Sequence, residues 1–214
     1  MADVFLSGGT GYLGRALIPK LLERGHPTRT IVRPQSTGKV PAGCRTVVAD
    51  VLDAASFRSA IAPADTFIHL TGTPKPAPWK EREFRTLDGP SLHASVDAAA
   101  QSGSVRHFIY VSVAHPAPVM RAYIAVRQEC EDYLALHCPV RTVLRPWYVL
   151  GPGHWWPYAL KPLYALAGKR WERLGLVTLD EMTRALVEAV ETRPAAGAGR
   201  IVDVPTIRFP AARV

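Results

Sequence analysis

Glycines at positions 8, 11 and 14, within Ser7-Gly8-Gly9-Thr10-Gly11-Tyr12-Leu13-Gly14, follow the apolar run Val4-Phe5-Leu6 and open an amphipathic stretch from Arg15 to Arg24. That spacing suits a phosphate-binding turn between a strand and a helix. Gly8 permits a tight turn, Gly11 lets the backbone approach a pyrophosphate, and Gly14 brings helix and strand close. The free N–H groups and dipole at the helix N-terminus then favour the anion. Such a turn binds a dinucleotide when it begins a chain of alternating strands and helices; taken alone it is only a turn. His69 sits in the apolar run Thr66-Phe67-Ile68-His69-Leu70 with no carboxylate or second histidine at ligand spacing, so it reads as a core histidine rather than a metal ligand. His115, beside Pro116 and just past another apolar run, is a candidate for proton transfer. Lys75 and Lys80 flank the proline loop Pro74-Lys75-Pro76-Ala77-Pro78; they meet an anionic substrate, form a lid, or stand solvated on a mobile loop.

The elements that must hold these groups follow from periodicity. Leu13, Leu17, Leu21 and Leu22 recur at helical spacing, and Gly25 is placed to end that helix. Thr30-Ile31-Val32, Thr46-Val47-Val48 and Thr66 to Leu70 read as the second, third and fourth strands. Asp53 is positioned to cap a short helix through Ile61. Alternate prolines from Pro74 to Pro78 exclude both helix and central strand, which predicts an extended loop. Leu87 to Ala100 reads as a helix closed by Gly103, His107 to Val111 as a strand, Val119 to Leu136 as a helix and Arg141 to Leu144 as a sixth strand. Leu179 to Val190 is helical in pattern, and Arg200 to Val204 reads as a late strand. Apolar strands alternating with helices predict an α/β fold with an open parallel sheet, whose ligands bind beyond the carboxyl ends of the strands.

A chain of 214 residues supports one sizeable core and predicts a single domain over 1–214. Residues 147–178 change in composition: Trp147, Trp155, Trp156, Tyr158, Tyr164 and Trp171 crowd among prolines and glycines. They line a substrate pocket, cover a partner surface, or close the core. Hydrophobic residues at 48% and charged residues at 21% exclude a disordered chain. The formal charge of +8 is spread along the sequence rather than massed, so it reads as a solvated surface and not a nucleic-acid site. Cys44, Cys130 and Cys138 form no C-x-x-C spacing, which predicts reduced thiols in a cytoplasmic protein and no metal site. A strand entered after Met-Ala-Asp leaves no room for a signal segment, and no apolar stretch has transmembrane length.

From about Asp3 to Gly153 the residues resemble the short-chain dehydrogenase/reductase superfamily, in its extended or atypical branch of epimerase-like and NmrA-like NAD(P)-binding proteins. The glycine turn is similar to that branch's T-G-x-x-G-x-x-G, with Ser7 in place of the threonine. Ala49-Asp50-Val51 resembles its G-D-hydrophobic step, whose Asp meets the adenine amino group. His69-Leu70-Thr71-Gly72 resembles its H-L-A-G, whose backbone lies along the adenine ribose. Leu144-Arg145-Pro146 through Gly151-Pro152-Gly153 resembles its R-P-x-x-V-x-G-P-G, which borders the nicotinamide. The resemblance implies a Rossmann-like doubly wound sheet with a small C-terminal substrate or cover region. It implies a cofactor site built from Gly8, Thr10, Gly11, Tyr12, Leu13, Arg33, Asp50, Val51, Leu70, Thr71, Gly72, Tyr123, Arg127 and Pro146. Ile31-Val32-Arg33-Pro34 ends the second strand with a guanidinium and no carboxylate, which favours NADP(H) over NAD(H) because an arginine forks onto the extra phosphate.

The superfamily's Y-x-x-x-K places a general acid/base tyrosine and a lysine on one helix face. Here Tyr123-Ile124-Ala125-Val126-Arg127 carries Arg at the lysine position. The expected catalytic set is Tyr123 for proton exchange, Arg127 to hold the ribose and depress the tyrosine pKa, and Ser112 to polarise the substrate oxygen. Ser112 stands one step early, so Val113 falls where the family's hydroxyl belongs, and Asp88 falls near its structural Asn. Two functions follow. One is an NAD(P)(H)-dependent oxidoreductase or epimerase-like enzyme acting on a small carbonyl or alcohol, of hydrophobic or aromatic character given the tryptophans. The other is a non-enzymatic NmrA-like redox sensor or assembly scaffold that kept the dinucleotide site and let the catalytic residues drift. A bland reading also stands, with Ser112 capping a strand end and Tyr123 an amphipathic helix residue.

Overall fold

In this computed structural model, which describes residues 1–117, 119–153 and 174–210, the apolar run Val4–Ser7 forms strand β1. It lies between β2 (Thr28–Val32) and β4 (Thr66–His69), with Leu6 opposite both Thr30 and Ile68. Beyond β2 comes β3 (Arg45–Val48); beyond β4 come β5 (His107–Val111), β6 (Arg141–Arg145) and β9 (Gly199–Asp203). All neighbours are parallel, and the order β3-β2-β1-β4-β5-β6-β9 reverses direction between β1 and β4. A doubly wound α/β sheet of this order opens a crevice at that reversal, outside the carboxyl ends of the two strands. Both the glycine turn and residues 70–72 emerge there.

Alternation along each strand divides the core between two faces. Val4, Leu6, Ile68, Ile109, Leu144 and Val202 point toward α1 (Tyr12–Glu23), α6 (Leu179–Glu191) and α7 (Val204–Arg208). Phe5, Phe67, Phe108 and Tyr110 point toward α2 (Ala54–Ile61), α4 (Gly89–Ser102) and α5 (Arg121–His137). Register aligns Phe5, Phe67 and Phe108 on adjacent strands, and their ring centroids lie 5.5 and 5.0 Å apart. At the far end Arg29 gives its guanidinium protons to the carbonyls of Ala60, Ile61 and Ala62 and to Asp3, fastening the C-terminus of α2 to the sheet. α6 begins in a capping box between Thr178 and Glu181.

Four local features differ from the sequence expectation. Residue 204 leaves the last strand, because Asp203 accepts from Thr206 N and Pro205 follows, which starts α7 instead. Pro78 does not continue the extended loop; it opens a 3₁₀ turn, Pro78–Lys80, that leads through α3 (Glu81–Glu83) into a π turn over Phe84–Asp88. The helix expected from Leu87 therefore starts as α4 at Gly89; it ends at left-handed Gly103 as the sequence predicts. Finally, β7 (Tyr148–Leu150) and β8 (Leu176–Thr178) pair in parallel as a separate two-stranded sheet that periodicity did not reveal. Trp147 packs against the α1 and α6 side of the core. Trp155, Trp156, Tyr158, Tyr164 and Trp171 lie outside the described residues.

Candidate cofactor and catalytic site

Gly8 has φ +80°, and a Cβ there would lie 2.8–2.9 Å from the backbone of Leu70 and Thr71. The glycine is thus required twice, by its dihedral and by the close passage of the chain leaving β4. A Cβ on Gly14 would collide with the Gly8 carbonyl and Gly9, so α1 rests directly on the turn. Gly11 donates to Gly8 O (3.0 Å) and caps α1 without any side-chain acceptor. The first amides of α1 are therefore not consumed by a capping side chain, which suits a bound phosphate. Tyr12 reaches the other lip of the crevice: a Cβ on Gly151 would meet its hydroxyl, with the ring Cζ 3.3 Å away. Gly8→Ala is expected to weaken binding of the NAD(P)H dinucleotide by about tenfold or more, with a lower urea midpoint, since strain and overlap with backbone both act.

The other cofactor candidates surround this turn. Arg33 is exposed at the end of β2, where Pro34–Lys39 turns as a 3₁₀ segment held by Ser36 N on Arg33 O (2.9 Å). Asp50 is exposed, with Oδ1 accepting from Leu52 N (2.9 Å), and Val51 follows it at the start of the turn into α2. Pro146 is buried and its carbonyl accepts from Ala114 N (2.9 Å), tying the end of β6 to the segment after β5. These positions line the carboxyl edge of the sheet from β3 to β6. The glycine cradle and uncapped helix fit a dinucleotide pyrophosphate.

His69 is the core histidine that its sequence context predicts. Its Nδ1 faces Ser7 Oγ (3.1 Å) and Ser95 Oγ (3.0 Å), Nε2 has no hydrogen-bond partner among the described residues, and the ring is fully buried. Burial, helped by the nearby Arg127 cation, pushes its pKa down to about 3. The folded state keeps this ring neutral while the unfolded chain takes up the proton below about 6.5. The stability involved is complete above that value and is lost as pH falls toward 3. Urea midpoints measured across this window should decline with acid, and less steeply in His69→Gln; His107, lowered to about 4 chiefly by burial, adds a residual slope.

Beyond Gly72 lies the charged centre. A Cβ on Gly72 would sit 2.5 Å from Arg127 Nη2, so the guanidinium closely approaches the backbone leaving β4. Nη2 donates to Asp88 Oδ1 (2.5 Å), and Nη1 donates to Tyr110 Oη (3.0 Å) and the Val111 carbonyl (3.2 Å). Asp88 Oδ2 in turn accepts from Thr73 N (3.0 Å) and Thr73 Oγ1 (2.5 Å). Arg127 and Asp88 are 5% and 1% exposed, which makes this a buried ion pair. The Tyr123 ring lies over the guanidinium with Cζ 4.9 Å from its centroid, and the Phe84 ring packs tilted against it, centroids 4.9 Å apart.

The three expected catalytic residues are engaged within the fold. Both Nη groups of Arg127 are spent inside the protein rather than held out toward a ribose. Burial of the phenol raises Tyr123 above its ordinary value; the Arg127 cation draws it down, the expected direction, by less than burial raises it, and Asp88 adds to the rise. Ser112 Oγ donates to Glu131 Oε1 (2.5 Å), so its proton is committed within the fold, and the neighbouring Val113 is buried. Glu131, which sequence reading missed, joins α5 to both strands. It also accepts from Arg145 Nε (3.1 Å) and Nη2, and lies 3.6 Å from His115 Nε2. The signal was present, since Glu131 follows Arg127 by one helical turn and Arg145 stands in the R-P motif. Lys80 closes its own loop on Pro74 O (2.9 Å) instead of reaching outward. Among the described residues no three His, Cys, Asp or Glu side chains gather as a metal site.

A doubly wound parallel sheet with a glycine cradle at its topological reversal defines a dinucleotide-binding protein. The chain belongs to the NAD(P)H-binding family whose model matches residues 8–148, within the short-chain dehydrogenase/reductase superfamily. It is 26% identical to the ceramide reductase of Caulobacter vibrioides, covering 94% of this chain and 64% of that protein. It is 29% identical to the 3-beta-hydroxysteroid dehydrogenase of Mycolicibacterium neoaurum over 119 residues, 52% of this chain and 32% of that protein. The chain thus spans between about a third and two thirds of these curated relatives. Among solved structures, the Bordetella bronchiseptica enzyme WbmH in complex with NAD+ superimposes with a TM-score of 0.71 at 19% identity, covering 95% of this chain and 75% of that one. The UDP-N-acetylglucosamine 4-epimerase from Bacillus cereus gives 0.72 at 15% identity, covering 95% and 79%. These structures share the fold.

Proposed function

We propose that this protein is an NADPH-dependent reductase of apolar carbonyl compounds, with Tyr123 as the proton donor. The observation that carries the reading is the unbroken contact path from Gly8 through Leu70, Thr71 and Gly72 to Arg127 and the Tyr123 ring, which joins the glycine cradle to an acid. Bound NADPH supplies a hydride to the carbonyl carbon. Gly8, Gly11 and the N-terminus of α1 hold the pyrophosphate, Asp50 and the backbone at Leu70 to Gly72 take the adenosine end, and Tyr12 and Pro146 border the far end. Tyr123 donates its proton to the carbonyl oxygen and regains one from solvent. Its raised pKa keeps the phenol protonated at neutral pH, which suits reduction. Arg127 stabilises the phenolate as it forms.

Exposed apolar side chains support an apolar substrate: Trp79 is 82% exposed on the loop after β4 and Val119 is 53% exposed just before α5. Two of the relatives above are named for a steroid and a ceramide. Residues 147–178 would form the substrate region of this single domain. Arg33, unopposed by a carboxylate at the end of β2, supports NADPH over NADH. Arg33→Asp should weaken NADPH by about fivefold or more and leave NADH nearly unchanged; equal losses would refute the assignment. Three free cysteines support a cytoplasmic setting; no described helix is long and apolar enough to cross a membrane.

The test is NADPH oxidation over a panel of apolar aldehydes and ketones beside direct titration of NADPH binding. Turnover of any member supports the reductase. Tight binding with no turnover supports the sensor or scaffold, a reading favoured by one observation, the commitment of the Ser112 proton to Glu131 beside Val113.

A further inference from the structure

The π turn Phe84–Asp88 supplies two of the groups around the proposed acid: Phe84 walls the Tyr123 ring, and Asp88 grips the cation beneath it. π turns commonly occur at functional sites. Asp88 also fixes the chain leaving β4 through both donors of Thr73, so one carboxylate aligns the cofactor-side loop, α5 and the phenol. We propose that Asp88 is a positioning residue for Tyr123, pinning the Arg127 guanidinium under the phenol ring and balancing that cation with a buried anion. The proposal rests on Tyr123 being the proton donor argued above. It departs from a simple tyrosine and cation pair, because the cation here is matched by a buried anion. In such a site the cation orients and the anion moderates.

Four titratable groups among the described residues stand around the phenol. Arg127 and Cys130 lie on its own helix, Asp88 on the π turn, and Tyr110 on β5 with its hydroxyl bonded to Arg127. Cys130 and Tyr110 are neutral at pH 7, their proton affinities raised by burial, so Asp88 is the one anion in this set. Its replacement by the isosteric amide removes the charge while an oxygen still faces Thr73 or Arg127.

The experiment is an alkaline pH jump read by tyrosinate absorbance on the full chain, Asp88→Asn and Tyr123→Phe, the last identifying which transition belongs to Tyr123. The expected result is a Tyr123 midpoint lower in Asp88→Asn by about one pH unit, a tenfold change in proton affinity. Asp88→Glu, which restores the charge, should move it back toward the parent. An unchanged or higher midpoint in Asp88→Asn overturns the proposal. Should Asp88→Asn not fold, Thr73→Val removes one donor from the same carboxylate and keeps every charge; a higher Tyr123 midpoint is expected, and a lower or equal one overturns the proposal. No substrate enters this measurement. A shift without turnover on any carbonyl upholds the role of Asp88 and counts only against the reductase reading.

Discussion

Tyr123→Phe is expected to lower turnover of a carbonyl substrate by about 10²–10⁴-fold while NADPH affinity stays within about threefold of the parent. The change removes one hydroxyl and leaves the ring between Phe84 and the Arg127 guanidinium. What is lost is the proton for the oxygen that becomes an alkoxide as hydride arrives. The loss belongs in kcat rather than in binding, since the proton transfer is made in the transition state. In the parent, kcat should hold through neutral pH and fall as pH rises through the elevated Tyr123 pKa, because the proposed mechanism requires the protonated phenol. An acidic limb in place of this alkaline one, or turnover indifferent to the hydroxyl, would sink the mechanism. Steady-state rates across pH for both proteins decide it.

Arg127→Met should cost about 3–5 kcal/mol in urea unfolding, the range for removing one partner of a buried ion pair. Methionine fills much of the volume but leaves Asp88 with Thr73 alone, and strips donors from Tyr110 Oη and the Val111 carbonyl. The double variant Asp88→Leu, Arg127→Met should recover part of that loss, since a lone buried carboxylate is the larger penalty. A double-mutant cycle with a coupling below about 0.5 kcal/mol would show that the two residues are independent.

The sheet was legible because its strands carry β-branched and aromatic residues between glycine and proline breaks, and in the central strands β1, β4 and β5 burial on both faces leaves that pattern plain. Helix ends were read within a few residues where Asp53 or Gly103 marks them. The strands β7 and β8 escaped, since three residues each carry no measurable period. The π turn escaped too, because Phe84 to Asp88 has ordinary helical composition and its wider hydrogen bonding follows from what Phe84 and Asp88 pack against. At the site, the glycine turn could be read from spacing because backbone conformation dictates residue type locally. The Asp88 and Arg127 pair could not. Thirty-nine positions separate the two, and each taken alone looked like drift from a family pattern. Only their contact reveals that one departure answers the other.

The small β7 and β8 sheet has a consequence for how this protein can change. Its register, Tyr148 with Leu176 through Leu150 with Thr178, fastens both ends of the intervening chain side by side, apart from the seven-stranded sheet. The chain thus leaves at Leu150 and returns at Leu176 within one short ladder, so a substitution that loosens either strand releases both, while the seven-stranded sheet, the glycine cradle and the Asp88 and Arg127 pair keep their own bonds.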